Sequence, residues 1–347
     1  MSRAVFVGAA VAVLAGCGGT GGVERVASPS GWTFAASMSQ RRSYAATAAV
    51  GGRIYVAGGM VGNTGRRLAL FQRFDPAVNS WTTLEPLPEA VRAASAAAVG
   101  GRIYVTGGQA QTGVTRAVHI YDVRRHRWVS GPSLPAPRFN HATVALAGSL
   151  YVLGGYDRGR EQRDVFVLRR RARRWSRAAA LPRPNHAFGA VAFRGSIWAI
   201  GGRRGDRVLR EVWVYDPRRD RWHVGPALPR PMELLGVTAA GPEIHALWER
   251  TYQVFDVRSR RWRLGPAPRV PRHALSLLAT RGRLYAVGGC RTPELVDSQI
   301  VETISVTRWR ARETRVARPY RDHWARADRI PRPTASPGRP GGQRVRE

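Results

Sequence analysis

The sequence predicts an all-β fold: a six-bladed β-propeller of four-stranded antiparallel blades. Tryptophans stand at Trp32, Trp81, Trp128, Trp175, Trp222, Trp262 and Trp309, and glycine pairs at Gly58-Gly59, Gly107-Gly108, Gly154-Gly155, Gly201-Gly202 and Gly288-Gly289. Each of the first six tryptophans precedes the next glycine-pair position by 26 residues, with Trp248-Glu249 standing there in the fifth copy. The repeat has a period of about 47 residues and no helical periodicity, which together mark a propeller blade rather than a helical array.

The elements of one period follow in order. Residues 53–56, 102–105, 149–152, 196–199, 243–246 and 283–286 are runs of β-formers. Just before them stand Gly52, Gly101, Gly148, Gly195, Pro242 and Gly282, a turn residue at a fixed place between two apolar runs, which predicts a tight hairpin. From the glycine-pair position to the next tryptophan is usually 21 residues, but 23 in the first copy and 14 in the fifth, so a variable loop lies there. A third strand follows it, as in residues 117–121 and 211–215, and Asp75, Asp122, Asp216 and Asp256 then sit six residues before a tryptophan, placed to cap a turn. The fourth strand begins at the tryptophan and ends in a proline-rich link such as residues 131–135.

Six glycine-pair positions give six blades, while seven tryptophans leave one surplus fourth strand. The Trp32 strand is available to complete the last blade, whose usual aspartate is replaced by Thr303. At its Gly-Gly, Tyr-Asp and Trp landmarks the chain resembles the Kelch-repeat family, within the galactose oxidase-like central domain superfamily, over residues 32–309. The resemblance implies that the glycine pairs end the second strand where a side chain would obstruct packing. It also implies that Trp81, Trp128, Trp175, Trp222 and Trp262 pack between blades.

Outside the repeat, residues 4–14 form an apolar run too short for a permanent membrane span and of the right length for a signal-peptide core. The segment Leu14-Ala15-Gly16-Cys17 resembles a lipobox, which implies removal of residues 1–16 and a lipid on Cys17. The expected organisation is a lipoprotein signal peptide at 1–16, a lipidated, glycine-rich tether at 17–31, the propeller at 32–309 and a disordered, basic Pro/Arg-rich tail at 310–347. That places the body outside the cytoplasm, on a membrane. With Cys17 lipidated, Cys290 is the remaining thiol, and no intramolecular disulfide is expected.

Composition is globular, with 44% apolar and 23% charged residues. All 56 basic residues are arginine, and the formal charge is +33. The arginines are spread through every turn and no nucleic-acid motif is present, so no nucleic-acid partner is expected. An anionic glycan, a wall polymer or a protein is, and the propeller is expected to be a monomer.

Two loop sets are candidates for binding, because ligands sit on loops that vary over a repeating scaffold. In the link before each inner strand, Arg42, Arg138 and Arg272 lie ten residues after a tryptophan, Asn185 and Met232 take that place in two copies, and Arg92 is one residue further on. With Tyr44, Asn140, His141, His186, Glu233 and His273 nearby, these would form a basic, aromatic-edged mouth suited to carboxylate or sulfate groups; structural pairing of the arginines is the alternative. The second set is the variable loops at 60–68, 109–116, 156–164, 203–210 and 290–298.

Enzymatic readings need a specific constellation. Galactose oxidase, which the family includes, holds copper with two tyrosines and two histidines, but no histidine pair here has metal-ligand spacing, so no metal and no cofactor is expected. A second resemblance, to Kelch propellers that interconvert sialic acid anomers, calls for a carboxylate or histidine beside an arginine; Glu233 with His141 or His186 can be offered, but no motif selects them. The sequence therefore favours a non-catalytic binding module, with a carbohydrate-active enzyme as the alternative.

Overall fold

The computed structural model describes residues 31–62, 65–291 and 296–306. Among them are six four-stranded antiparallel sheets, the blades. Blade I runs Ala46–Val50, Arg53–Ala57, Phe71–Asp75 and Ser80–Thr83 from inside outward. Blade II runs Ser95–Val99, Arg102–Thr106, Val118–Asp122 and Arg127–Ser130, and blade III runs Ala142–Leu146, Ser149–Leu153, Val165–Leu168 and Ser176–Ala178. Blade IV runs Gly189–Phe193, Ser196–Ile200, Val212–Asp216 and Arg221–Val224, and blade V runs Gly236–Ala240, Glu243–Trp248, Thr251–Asp256 and Arg261–Leu264.

Blade VI takes Ser276–Thr280, Arg283–Val287 and Val301–Ser305 from one end of the propeller and Thr33–Ala35 from the other, with Thr33 opposite Thr303 and Ala35 opposite Val301. The strand after Trp32 thus closes the ring. The segments expected as signal peptide and basic tail, with Cys17 and Trp309, lie outside the described residues, as does the expected tether apart from Gly31.

The inner strands stand side by side around a central channel, with the first packed against the last. Apolar clusters fill the spaces between blades: Tyr55 and Phe71 of blade I meet Ile103 and Tyr121 of blade II, and Ile54 and Phe74 on blade I's other face meet Tyr285 and Val287 of blade VI. This alternation of faces follows from the two-residue period of a strand buried on both sides.

Three rings of hydrogen bonds join blade to blade, each with one member per blade. The outer ring is made by the tryptophans, whose indole N–H groups donate to a carbonyl of the preceding blade: Trp81 to Ala36 at 2.8 Å, Trp128 to Glu85 at 2.9 Å, Trp175 to Pro132 at 2.7 Å, and Trp222 to Ala179, Trp262 to Pro226 and Trp32 to Pro266, each at 2.8 Å. The second ring explains the glycine pairs. The N–H of Gly59 donates to the Val91 carbonyl of the next blade, and Gly108, Gly155, Gly202, Glu249 and Gly289 do the same to Arg138, Asn185, Met232, Arg272 and Arg42. A Cβ added at Gly58 would lie 2.6 Å from that Val91 oxygen, and one at Gly107 2.6 Å from the Arg138 oxygen, so backbone approaches where a side chain would sit. In blade V the chain turns back at once through Glu249 and Arg250, because Trp248 pairs directly with Thr251; the loop is lost and the inter-blade bond is kept.

The third ring is innermost. Tyr44, Ala93, Asn140, Ala187, Leu234 and Ala274 each donate a backbone N–H to the carbonyl of the previous member, at 2.7–3.2 Å, with Tyr44 donating to Ala274 to complete the circle. All six have φ between 45° and 56°. That left-handed conformation is costly for side-chain-bearing residues, and here the closed ring imposes it on each of them.

Candidate functional site

The innermost ring marks one end of the channel, a space of ≈ 470 Å³. Alanine is its commonest lining residue, with Thr47, Ser95, Thr143, Thr238 and Ser276 as small polar positions and Tyr44, Asn140 and His141 toward the ring. No arginine and no carboxylate is among the lining residues. Small side chains are required because inner strands converge on the axis.

The expected basic mouth is therefore not built from the arginines ten residues after each tryptophan. Arg42, Arg138 and Arg272 are each 0% exposed. Each guanidinium reaches into its own blade and donates to the carbonyl of the first glycine of the pair, Gly58 at 3.2 Å, Gly154 at 2.9 Å and Gly288 at 2.9 Å. Each also donates to the carbonyl just before the third strand: Leu70 at 2.9 Å, Asp164 at 3.4 Å and Ile300 at 2.6 Å. Asn185 makes the same bond to Gly201 at 2.9 Å. The glycine pair turns these carbonyls away from the ladder, and a buried carbonyl needs a donor. The alternative of structural pairing holds at these four positions.

The remaining side of each guanidinium is met differently in each blade. Arg42 donates to Gln72 at 2.7 Å, Arg138 stacks over the Phe166 ring at 4.3 Å, and Arg272 pairs with Glu302 at 2.8 Å. Burial lowers all three below the ordinary arginine range, Arg42 to about 9 and Arg138 to about 10. In blade V, Met232 has no such donor, and Gln253 instead exchanges two bonds of 3.0 Å with the backbone of Arg230. His141 is also interior: its Nε2 lies 2.9 Å from the Thr106 hydroxyl, which is 2.7 Å from Thr143, and burial pushes the ring down to about 3.

The residues that do surround the mouth lie one position earlier than the inner ring: Ser43, Arg92, Phe139, His186, Glu233 and His273. From five of these, short β-ribbons rise as a crown. They pair Met60–Val61 with Arg66–Arg67, Gln109–Ala110 with Gly113–Val114, Tyr156–Asp157 with Arg160–Glu161, Arg203–Arg204 with Arg207–Val208, and Cys290–Arg291 with Val296–Asp297. Ser43, Arg92, Phe139 and His186 bridge the ribbon bases at Met60, Gln109, Tyr156 and Arg203, and His273 pairs with Cys290. Blade V contributes no ribbon, which leaves a notch between those of blades IV and VI.

Two sectors of this mouth differ chemically. On one side Phe139 meets Tyr156 edge to face at 5.6 Å, Tyr156 meets His186 at 5.1 Å, and His186 Nδ1 lies 3.5 Å from Glu161. Arg203 follows, donating to both carboxylate oxygens of Glu233 at 3.1 and 3.3 Å. On the other side the Ser43 hydroxyl donates to Asp297 at 2.5 Å, and Arg92 donates to Gln109 at 2.9 Å and to Met60 Sδ at 3.1 Å. Burial, with Cys290 next, raises the Tyr44 phenol to about 12, and burial with Asp297 raises the Cys290 thiol to about 11. Burial lowers His186 and His273, opposed by Glu161 and by Asp297 respectively.

Of the sequence-predicted set, then, the structure brings Arg92 and His186 to the mouth and takes Arg42, Arg138, His141, Asn185 and Arg272 into the walls. Phe139, Tyr156, Glu161, Arg203 and Asp297 complete the mouth. Four of these five were covered only as variable loops, because their blades share no spacing beyond the glycine pair. One coarse signal was available: carboxylates are scarce in this chain, 23 against 56 arginines, yet the variable loops carry Asp157, Glu161, Asp164, Asp206, Glu294 and Asp297, which marks the loops without singling out Glu161 and Asp297. Among the described residues, no group of three or more His, Cys, Asp and Glu side chains is placed to hold a metal ion.

With this geometry in view, residues 44–232, more than half of the chain, match the family model described as the KLHDC2/KLHL20/DRC7 Kelch-repeats domain. No curated protein matches the chain.

Proposed function

The chain belongs to the Kelch-repeat family, and from that premise we propose that it is an interaction propeller whose crown holds a protein or glycan partner outside the cytoplasm, with a lipid on Cys17 as its anchor. One observation carries the reading of the crown. Five ribbons of unlike sequence stand on a scaffold that three closed rings hold fixed, so recognition elements vary while their positions do not. The Phe139, Tyr156 and His186 sector offers ring faces and edges, and the Arg203–Glu233 pair beside it offers charge.

The test uses the full chain and variants at or beside the ribbon tips, Arg158→Ala and Arg207→Ala, against a glycan panel and by crosslinking to envelope proteins. A ligand that wild type retains and the tip variants lose, with thermal unfolding unchanged, supports the crown. A ligand held equally by all variants moves recognition elsewhere. For the anchor, Cys17→Ser should shift the chain from the membrane pellet to the soluble fraction; a variant that stays in the pellet removes the lipid from the reading.

A second reading, a carbohydrate-active enzyme, is favoured by the 3.5 Å approach of His186 to Glu161 with Arg203 in the same sector. An acid/base pair beside a carboxylate-binding guanidinium suits proton transfer on an anionic sugar. Wild-type acceleration of sialic acid anomer exchange in NMR, lost in His186→Gln, would select it.

A further inference from the structure

We propose that the cleft between blades II and III, on the face opposite the crown, binds a saccharide carrying sulfate or phosphate groups. The site is separate from the crown and stands or falls independently of it.

The cleft has a volume of ≈ 730 Å³ and lies among the turns that join first to second and third to fourth strands. Its rim carries Arg102, Arg124 and Arg125 from blade II and Arg169, Arg170 and Arg171 from blade III. The one carboxylate in the lining is Asp122, already engaged by Arg102 at 3.3 Å and Arg125 at 3.6 Å and by the N–H groups of Arg124 and Arg125 at 3.1 Å. The floor includes Tyr104, Leu150 and Leu168. A guanidinium rim over an apolar floor suits a ligand with oxyanions on a ring scaffold, since guanidinium binds sulfate and phosphate in two-pronged fashion while sugar faces pack on apolar and aromatic surface.

A departure from the repeat makes this cleft. In blades I, II, IV and V the third strand ends in an aspartate that accepts a backbone N–H from its own turn: Asp75, Asp122, Asp216 and Asp256. In blade III that place is Arg169. The last two inter-strand pairs are then missing: blade II pairs through Tyr121 with Trp128 and Asp122 with Arg127, whereas blade III stops at Val167 with Ser176. Arg169 donates to Ser176 Oγ at 3.1 Å, and the following turn, residues 170–174, is exposed. One substitution thus removes a negative charge, adds a positive one and leaves the turn unzipped beside blade II's own arginines.

The experiment is binding of a fluorescent sulfated hexasaccharide to the full chain in about 0.15 M salt, where long-range attraction is largely screened. The cleft variant Arg169→Asp with Arg171→Gln restores the aspartate of the other blades; the control, Arg258→Gln with Arg260→Gln, removes two exposed arginines from the blade V turn. The expected result is affinity weakened by about tenfold or more in the cleft variant, the scale of one lost charged hydrogen bond, and by less than about twofold in the control. Equal losses in both, no binding by wild type, equal binding of polyglutamate, or binding only to vesicles of an anionic phospholipid would each overturn the site. Should the cleft variant unfold, phenylglyoxal modification of wild type decides: the saccharide should protect Arg124, Arg125, Arg170 and Arg171, and unprotected labelling at these positions would overturn it. Loss of this site with crown ligands retained leaves the interaction reading intact.

Discussion

Arg272 and Glu302 meet at 2.8 Å with no exposed surface on either side chain, and Glu302 also accepts from the backbone of Arg269 at 2.6 Å. A charge removed from water is tolerable only while its partner stays, so Arg272→Ala should destabilise the propeller by about 3–5 kcal/mol. Arg272→Met combined with Glu302→Gln should recover much of that loss in urea unfolding, because both charges leave together. The interior histidines make a second prediction. Burial holds His141 down to about 3 and His245 to about 4, whereas in the unfolded chain they titrate near the ordinary value of about 6.5. Between those values the unfolded state binds more protons, so stability falls as pH drops from about 6.5 toward 4; at pH 5 each ring costs roughly 2 kcal/mol relative to neutral pH. His141→Gln should flatten this dependence in unfolding measured across pH 4–7, and an unchanged slope would remove His141 as its source. How the sequence was misleading here is also a matter of residues: spacing placed Arg42, Arg138 and Arg272 in one structural position, but only the turned-in carbonyls of Gly58, Gly154 and Gly288 show that the position is occupied.

At the scale of elements, the strand Thr33–Ala35 is short, yet it directly follows the tryptophan that closes the outer ring. Trp32 is 0% exposed, meets Tyr252 edge to face at 5.6 Å and donates to Pro266 at 2.8 Å. Trp32→Ala should cost about 3–5 kcal/mol, and Trp128→Ala less, since Trp128 is only half-buried. Equal costs in thermal unfolding would mean that closure adds nothing to packing. The glycine pair is the other element-level constraint. At Gly202, with φ at +104°, a Cβ would fall 2.2 Å from Asn185 Oδ1, so Gly202→Ala should destabilise by more than about 1 kcal/mol, while the same change at Gly195, where nothing lies within 4 Å, should cost less. The strands, hairpins and fixed spacing were legible because the same local pattern recurs. The ribbons were not, because two-residue strands with unlike sequences carry no periodic signal.

For the whole molecule, the formal charge of +33 on 347 residues is a self-repulsion that packing must overcome. Some arginines are nonetheless paired locally, as Arg53 is with Asp75 at 2.8 Å and Arg204 with both carboxylate oxygens of Glu211 at 2.7 and 3.1 Å. If repulsion outweighs these exposed pairs, whose worth is small, the unfolding temperature rises between about 0.01 and 0.3 M salt. A falling temperature would show that local pairing dominates. The closed rings also predict one cooperative transition for the propeller, since no blade ends the chain of inter-blade bonds.

What the sequence by itself determined is what repeats: six blades, four strands in each, the fixed places of the glycine pairs and tryptophans, whose structural roles the Kelch resemblance implied, and the availability of the Trp32 strand to close the ring. Each is fixed by a short local pattern copied along the chain, and copying makes it visible. What only the tertiary structure decided is where unlike residues from different blades meet. The sector of Phe139, Tyr156, His186 and Glu161, the burial of Arg42, Arg138 and Arg272, and the arginine cleft between blades II and III all depend on which way side chains face once the ring is closed. Spacing along the chain says nothing about that direction, because it is set by carbonyls and neighbours contributed by other strands.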